Sequence, residues 1–150
     1  MKVRNYDRKD EVDVKKIFTK YWTDNTFLNE LAKELDGERC RFYVVEDDVE
    51  IVGVAGLRKA PPHLSDHADT NNPIELYIIA SKYQGRGIGN TLVQRIVADM
   101  KGTEFTEMVC YSPETHDSSW KFYEKLEFKK HGIINDPDDG YPGMLWKKVI

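Results

Sequence analysis

Apolar residues recur along this chain with two different periods, and the alternation between them lays out its elements. Lys2 to Tyr6 predicts a short first strand, and after Asp10 the residues Val14, Ile17, Phe18 and Tyr21 fall at helical spacing. Thr23-Asp24 is a capping pair, beyond which Phe27, Leu28, Leu31 and Leu35 form a second apolar stripe that ends at Gly37. Arg41 to Glu46 and Val49 to Leu57 are runs of β-formers separated by Asp47-Asp48, which predicts a hairpin. From Lys59 to Pro73, prolines, histidines, Asp and Asn carry no period, and a long loop is expected there. Ile74 to Ala80 is a strand, and beyond a glycine turn Ile88, Leu92, Ile96 and Val97 line one face of a helix. Phe105 to Tyr111 is the next strand, followed by a helix from about Asp117 to Leu126 and a strand around Phe128 to Ile134. The turn Asn135 to Pro142 leads to a last strand, Gly143 to Val149. Helices interspersed among mostly antiparallel strands predict an α/β fold of the α+β type, with a mixed sheet rather than a doubly wound parallel one.

Composition narrows the class. At 150 residues the chain fits a single domain, and 40% hydrophobic with 32% charged residues is the balance of a soluble globular protein. A net charge of −4 gives no affinity for a phosphate backbone, so nucleic acid is not an expected partner, and it favours a cationic substrate such as an amine. Cys40 and Cys110 form neither a metal spacing nor a disulfide framework, which fits a reducing cytoplasm. The charged start, Met1 to Asp13, has no apolar export core, and no apolar run approaches the ~18 residues of a membrane span.

The densest chemical signal lies between Glu75 and Ile96: an apolar strand, a turn with glycine at 85, 87 and 89, and a helix that starts inside that turn. Glycine permits positive φ and close approach, so successive N–H groups converge on one anion, and the helix start adds further free N–H groups and its positive dipole end. A phosphate or pyrophosphate is the natural guest, with Arg86 at the lip as a charged ligand; glycine placed there for turn geometry alone is the competing reading. A P-loop needs a lysine that Gly89-Asn90-Thr91 lacks, and a dinucleotide fingerprint needs the turn early in a parallel unit rather than mid-chain.

Gln84-x-x-Gly87-x-Gly89 after a strand, with Trp120-Lys121-Phe122-Tyr123-Glu124-Lys125-Leu126-Glu127-Phe128 downstream, resembles the GCN5-related N-acetyltransferase family over roughly Ile51 to Lys130. The resemblance implies a twisted sheet with a splayed central strand pair and acetyl-CoA as cosubstrate. It implies that backbone groups of Tyr77, Ile78 and Ile79 pair with the pantetheine arm, and that the amides of Gln84, Gly85, Arg86, Gly87, Ile88, Gly89 and Asn90 hold the pyrophosphate. His116 stands where members often carry an asparagine that touches the cofactor arm, and Glu127 where most carry glycine.

The implied activity is acetyl transfer to a primary amine by direct attack, with no acyl-enzyme. Tyr123 then takes the place of the tyrosine that protonates the departing sulfur, a role that a phenol neutral at pH 7 suits. Packing of an amphipathic helix is the plain alternative for it. Glu75 is the candidate base, since it shares a strand face with Tyr77 and Ile79; a solvated carboxylate at a strand end is its alternative. Tyr111 stands where some members place a glutamate base. Cys110 has no recognisable histidine partner, and His63, Asp66, His67 and Asp69 lie in a proline-bounded loop that does not align metal ligands, so no metal is expected. Tyr21, Trp22 and Phe27 fall between the first two helices, where this family often builds its acceptor pocket, and core packing is the plainer reading of them. A non-catalytic acyl-CoA sensor is the rival function. The acceptor, a small molecule or a peptide, is not readable, and a homodimer stays open.

Overall fold

The computed structural model describes residues 1–113, 119–137 and 140–150. In chain order the elements are β1 (Lys2–Asn5), a 3-10 turn (Arg8–Asp10), α1 (Glu11–Tyr21), α2 (Asn25–Asp36), β2 (Cys40–Asp47), β3 (Glu50–Lys59), α3 (Pro62–Ser65), β4 (Pro73–Ser81), α4 (Ile88–Met100), β5 (Glu107–Pro113), α5 (Trp120–Lys125), β6 (Lys129–Asn135) and β7 (Pro142–Val149). The strands form one seven-stranded sheet in the order β1-β2-β3-β4-β5-β7-β6. β1–β2, β2–β3, β5–β7 and β6–β7 pair antiparallel, and β4–β5 pair parallel. This is the mixed, mostly antiparallel sheet expected from the patterning. None of the described helices is long and apolar enough to cross a membrane.

The chain divides into two compact units, Met1–Arg58 with Ile78–Ala98, and Lys59–Tyr77 with Asp99–Ile150. In the first, α1 buries Val14, Ile17 and Phe18, and α2 buries Leu31 and Leu35. Asp24 caps α2 by accepting from the Thr26 amide at 2.9 Å. An aromatic chain joins the two helices, with Trp22 lying 6.1 Å from Phe18, 5.8 Å from Tyr21 and 5.6 Å from Phe27, centroid to centroid. Tyr21, predicted on the apolar stripe of α1, is exposed instead. The hairpin turns one residue later than expected. Asp47 pairs with Glu50, so the turn is Asp48-Val49; Asp48 takes the left-handed φ of 56° that an Asp tolerates, and Val49 is 97% exposed rather than in a strand. β3 is buried from Ile51 through Leu57, as a central strand covered on both faces requires. A Cβ on Gly53 would come within 2.5 Å of Ile88, so glycine is what lets α4 approach this strand.

A buried charge pair pins the start of this unit. Asp10 is 3% exposed, and its carboxylate accepts from Arg4 Nη1 at 2.8 Å, Arg4 Nη2 at 2.9 Å and the Asp7 amide at 2.9 Å. Asp7 in turn accepts from the Lys9 amide, which completes a reciprocal capping box. Arg4 reaches Glu46 on β2 at 3.4 Å, so β1, the 3-10 turn and β2 are tied by one guanidinium.

In the second unit, the stretch expected to be a loop over Lys59 to Pro73 is built around tertiary partners. β3 runs on to Lys59, Pro61 and Pro62 open the short α3, and β4 begins at Pro73. Leu64 packs with Ala60, Val109 and Leu145 in a buried cluster. Glu107 on β5 is fully buried and accepts from the Asp69 amide at 3.1 Å, the Thr70 amide at 2.8 Å and the Thr70 hydroxyl at 2.9 Å. Lys147 on β7, also buried, donates to the His67 carbonyl at 3.0 Å and to Asp69 at 2.8 Å. These bonds order a segment that has no period of its own.

The junction of α5 and β6 shows how Glu127 replaces a glycine. The Phe128 amide donates to the Tyr123 carbonyl at 3.1 Å and the Glu127 amide to the Glu124 carbonyl at 3.0 Å, the pair of bonds that closes a helix through a left-handed residue. Glu127 occupies that position at φ 65°. The turn into β6 is therefore kept, at the cost of backbone strain.

Two stability outcomes follow from these features. Glu127→Gly relieves the strain and raises stability by up to about 1 kcal/mol, read by denaturant unfolding; a destabilised variant would remove the argument. Asp10→Asn lowers stability by about 2 kcal/mol, because it leaves Arg4 without its buried partner. The Arg4 hydrogen bonds hold the Asp10 carboxyl below the ordinary carboxylate value. Its stabilisation is accordingly complete above about pH 4 and fades as pH falls through the depressed value, so the wild-type and Asp10→Asn melting curves converge in acid.

Candidate active site

The glycine turn belongs to the first unit. The Lys82 amide, just past the end of β4, donates to the Val52 carbonyl at 2.8 Å, which fixes where the strand stops. Gly85 and Gly87 then take φ values of 74° and 73°. A Cβ built on either meets nothing within 4 Å, so glycine is needed there for backbone conformation rather than for clearance within the chain. Gln84, Gly85, Arg86, Gly87 and Asn90 are exposed, Gly89 is half-buried, and Ile88 is buried as the anchor of α4. Thr91 folds back on the turn, its amide and its hydroxyl both bonded to the Gly87 carbonyl, at 3.0 and 2.8 Å. The result is an open backbone concavity at the start of a helix of 13 residues, which suits an anion with several oxygens.

Arg86, expected as a phosphate ligand, has its guanidinium 4.1 Å from the centre of the Tyr83 ring. Tyr83 is itself held by its hydroxyl on Glu50 at 2.7 Å, and Lys82 also pairs with Glu50. The arginine thus has a stacking partner that positions it at the lip of the turn. Tyr21 supplies a contact that periodicity concealed. Its hydroxyl donates to the Ser81 carbonyl and accepts from Gln84 Nε2, while neighbouring Lys20 donates to the Lys82 carbonyl. The exposure of Tyr21 comes from this role: the side chain ties the end of α1 to the strand end and to the turn. The sequence carried no signal of it beyond a tyrosine at the rim of a stripe, where a ring buries one edge and wets its hydroxyl.

The second unit holds the two residues proposed for chemistry. β4 and β5 pair in parallel at Pro73↔Glu107, Ile74↔Met108 and Glu75↔Val109, where the ladder ends, although β4 runs to Ser81 and β5 to Pro113. Of the residues expected to offer backbone groups to a cofactor arm, Tyr77 and Ile79 are half-buried and Ile78 is buried, and all three lie on β4 past the end of that ladder. Glu75 is 4% exposed, which overturns the solvated strand-end alternative for it. Paired with Val109, it faces the side of the sheet that carries the Ala60, Leu64 and Leu145 cluster.

Tyr123 faces the other side. It is buried, its ring lying 5.2 Å from Phe122, 5.6 Å from Phe128 and 5.6 Å from Trp146. Cys110 lies on the same face of the sheet, opposite Trp146 in register. Burial raises the Tyr123 phenol well above its ordinary value, so it is a neutral donor throughout the physiological range. Burial likewise raises the Cys110 thiol to about 12, which makes it a poor nucleophile. The packing alternative and the chemical reading of Tyr123 are therefore compatible, because the aromatic cage both fills the core and holds the phenol.

Other candidates find structural uses. The Tyr111 hydroxyl donates to the Tyr141 carbonyl, and its ring lies where a Cβ on Gly143 would come within 2.5 Å. His63 lies 3.6 Å from Asp136, and His67 stacks with His131 at 4.9 Å. Among the described residues no group of three or more His, Cys, Asp or Glu is placed to hold a metal. His116 lies outside the described residues.

Known proteins with this architecture give it a name. Among solved structures, a candidate acetyltransferase of the GNAT family from Desulfovibrio desulfuricans superposes with a TM-score of 0.82 at 16% identity, covering 99% of this chain and 98% of the other. An aminoglycoside 6'-N-acetyltransferase complexed with coenzyme A gives 0.75 at 16% identity, over 99% and 97%. The ribosomal-protein-S18-alanine N-acetyltransferase of Escherichia coli gives 0.75 at 14%, over 99% and 93%. At such identities these likenesses establish the fold. The model of the acetyltransferase (GNAT) family matches residues 11–128, which takes in the glycine turn, Glu75 and Tyr123. The chain belongs to the acetyltransferase (GNAT) family, the acyltransferases that use acetyl-CoA as acetyl donor.

Proposed function

We propose that residues 1–150 act as one N-acetyltransferase domain that moves the acetyl group of acetyl-CoA to a primary amine by direct attack. The observation that carries this reading is Tyr123, a phenol buried in a cage of aromatic rings and kept neutral there. Acetyl-CoA, when bound, supplies an activated thioester. The amides of the exposed Gly85, Arg86 and Gly87 and of the first turn of α4 suit its pyrophosphate, with the Arg86 guanidinium as the adjoining cation. The backbone of Tyr77 to Ile79, beyond the last β4–β5 pair, suits the amide groups of its arm.

In the transfer, the amine nitrogen forms a bond to the carbonyl carbon and the carbon–sulfur bond breaks. Tyr123 gives its proton to the leaving sulfur, and Glu75 takes a proton from the amine directly or through one water, so the proton count balances. A strand amide near Ile79 polarises the carbonyl oxygen. Cys110 takes no covalent part, since its proton is too tightly held for a thiolate. A net charge of −4 favours a cationic acceptor.

The acceptor is tested with a panel: a polyamine, an aminoglycoside, a lysine peptide and an alanine-terminated peptide, with thiol release as readout. Turnover on at least one is expected, whereas acetyl-CoA binding with no turnover on any would favour a sensor. Tyr123→Phe is expected to lower kcat by about 100-fold with KM little changed, and an unchanged kcat sinks the acid role. Because the Tyr123 phenol is raised rather than lowered, its proton stays on past its ordinary value, and no loss of kcat from its ionisation is expected below about pH 10. Gly87→Ala forces a side chain onto the left-handed φ of 73°, and is expected to weaken acetyl-CoA binding by about 1 kcal/mol or more by calorimetry.

A further inference from the structure

Glycine gives the turn after β4 the φ values that converging amides need, and it also leaves that turn much freedom to lose when a ligand orders it. Gly85 and Gly87 are exposed, and a Cβ on either would meet nothing within 4 Å, so no packing on that side restrains them. Restraint comes from the two ends of the turn. At the exit, the Gly87 carbonyl accepts from the Thr91 amide and hydroxyl at 3.0 and 2.8 Å, bonds that belong to the first turn of α4. At the entry it comes from α1, about 60 residues upstream. The Tyr21 hydroxyl donates to the carbonyl of Ser81, the last residue of β4, and accepts from Gln84 Nε2 at 2.5 Å. Lys20 donates to the Lys82 carbonyl. In a planar trans peptide the N–H points opposite to the C=O. Turning the Ser81 carbonyl toward α1 therefore sends the Lys82 amide the other way, where it meets the Val52 carbonyl at 2.8 Å.

We propose that Tyr21 is a positioning residue for the acetyl donor: its hydroxyl holds the entry of the glycine turn in place before acetyl-CoA arrives, so that the pyrophosphate binds a cradle already formed. The inference rests on reading that turn as the pyrophosphate site. Tyr21 is 38% exposed and its ring lies 5.8 Å from Trp22, a contact that Tyr21→Phe keeps. The hydroxyl is thus the part of the residue that serves the turn. A backbone ordered in advance loses less freedom on binding, and the difference is read as affinity for the donor. The pyrophosphate does not change charge while the acetyl group moves, so its cradle stabilises the bound donor and the transition state alike. Loss of the hydroxyl therefore falls on the KM for acetyl-CoA and not on kcat.

The test uses Tyr21→Phe, Gln84→Ala, their double variant and Gly87→Ala, with melting curves to confirm that each is folded. Acetyl-CoA binding is titrated by calorimetry without amine, and steady-state rates are measured with the amine that turns over fastest in the panel. Tyr21→Phe is expected to raise the Kd and the KM for acetyl-CoA about tenfold, with kcat and the KM for the amine within about twofold. In the Tyr21→Phe background, Gln84→Ala is expected to cost little further, because its amide has already lost its acceptor. A readout without turnover is the NMR order parameter of the Gly85 and Gly87 amides. It should fall in free Tyr21→Phe and recover when acetyl-CoA is added. An unchanged acetyl-CoA affinity in Tyr21→Phe overturns the proposal. So does a defect confined to the KM for the amine, which would make Tyr21 an acceptor ligand. An affinity loss with both glycine amides as ordered as in the wild type overturns it too, since the hydroxyl would then act by direct contact. If Gly87→Ala weakens acetyl-CoA binding and Tyr21→Phe does not, only the part given to Tyr21 is lost. If Gly87→Ala binds acetyl-CoA as the wild type does, the turn is not the pyrophosphate site and this proposal goes with that reading.

Discussion

A charged group shut away from water must be surrounded by donors, and at Glu107 that demand organises one unit of this protein. The carboxylate sits on β5 with no solvent contact, and the donors it finds are the Asp69 and Thr70 amides and the Thr70 hydroxyl. To bring them there, the segment after β3 must cross the face of the sheet, and in crossing it lays Ala60 and Leu64 on Val109 and Leu145. Lys147 closes the far side of the same crossing through Asp69 and the His67 carbonyl. Glu75 lies on the face so covered. The local dielectric around a candidate base is thus set by a polar latch several residues away from it, and the cover itself is held by hydrogen bonds rather than by a large apolar surface.

The opposite face of the same strand follows a different rule. There, Met108, Cys110 and Ser112 look toward α5, and aromatic rings rather than ionic groups do the enclosing. Lys130 lies over both Trp120 and Trp146, 5.3 and 5.6 Å from their ring centres, so even the cation on this side is met by π surface. A single strand therefore separates an environment built of paired charges from one built of rings and thiol. The side chains on the two faces of this strand, Glu75's neighbours on one and Tyr123's on the other, thus sit in different media.

How far the sequence made this legible depended on whether the signal was local. The stripes Val14, Ile17, Phe18 and Leu31, Leu35 predicted α1 and α2 because one helix face carries its whole message within four turns, and Asp24 marked the start of α2 because its cap bonds to a residue two positions on. The glycines at 85 and 87 were legible for the same reason, since positive φ is a property of single residues. Lys59 to Pro73 misled because its order comes from Glu107 and Lys147, about 40 and 80 positions downstream, and no window along the chain contains both partners. Tyr21 misled in another way. Its ring kept the helical period while its hydroxyl served a strand end 60 residues on, and periodicity registers only the ring.

The left-handed Glu127 has a bearing on the history of the chain as well as on its energetics. Glutamate and glycine codons differ by one base, so a substitution that would relax the junction after α5 lies one mutational step away and has not been taken. Proteins drift at the edge of the stability they need, and a strained residue persists when the margin above that edge is enough or when its side chain is wanted on the surface. Position 127 is therefore a place where variants of this protein can diverge without touching either the glycine turn or the cage around the phenol.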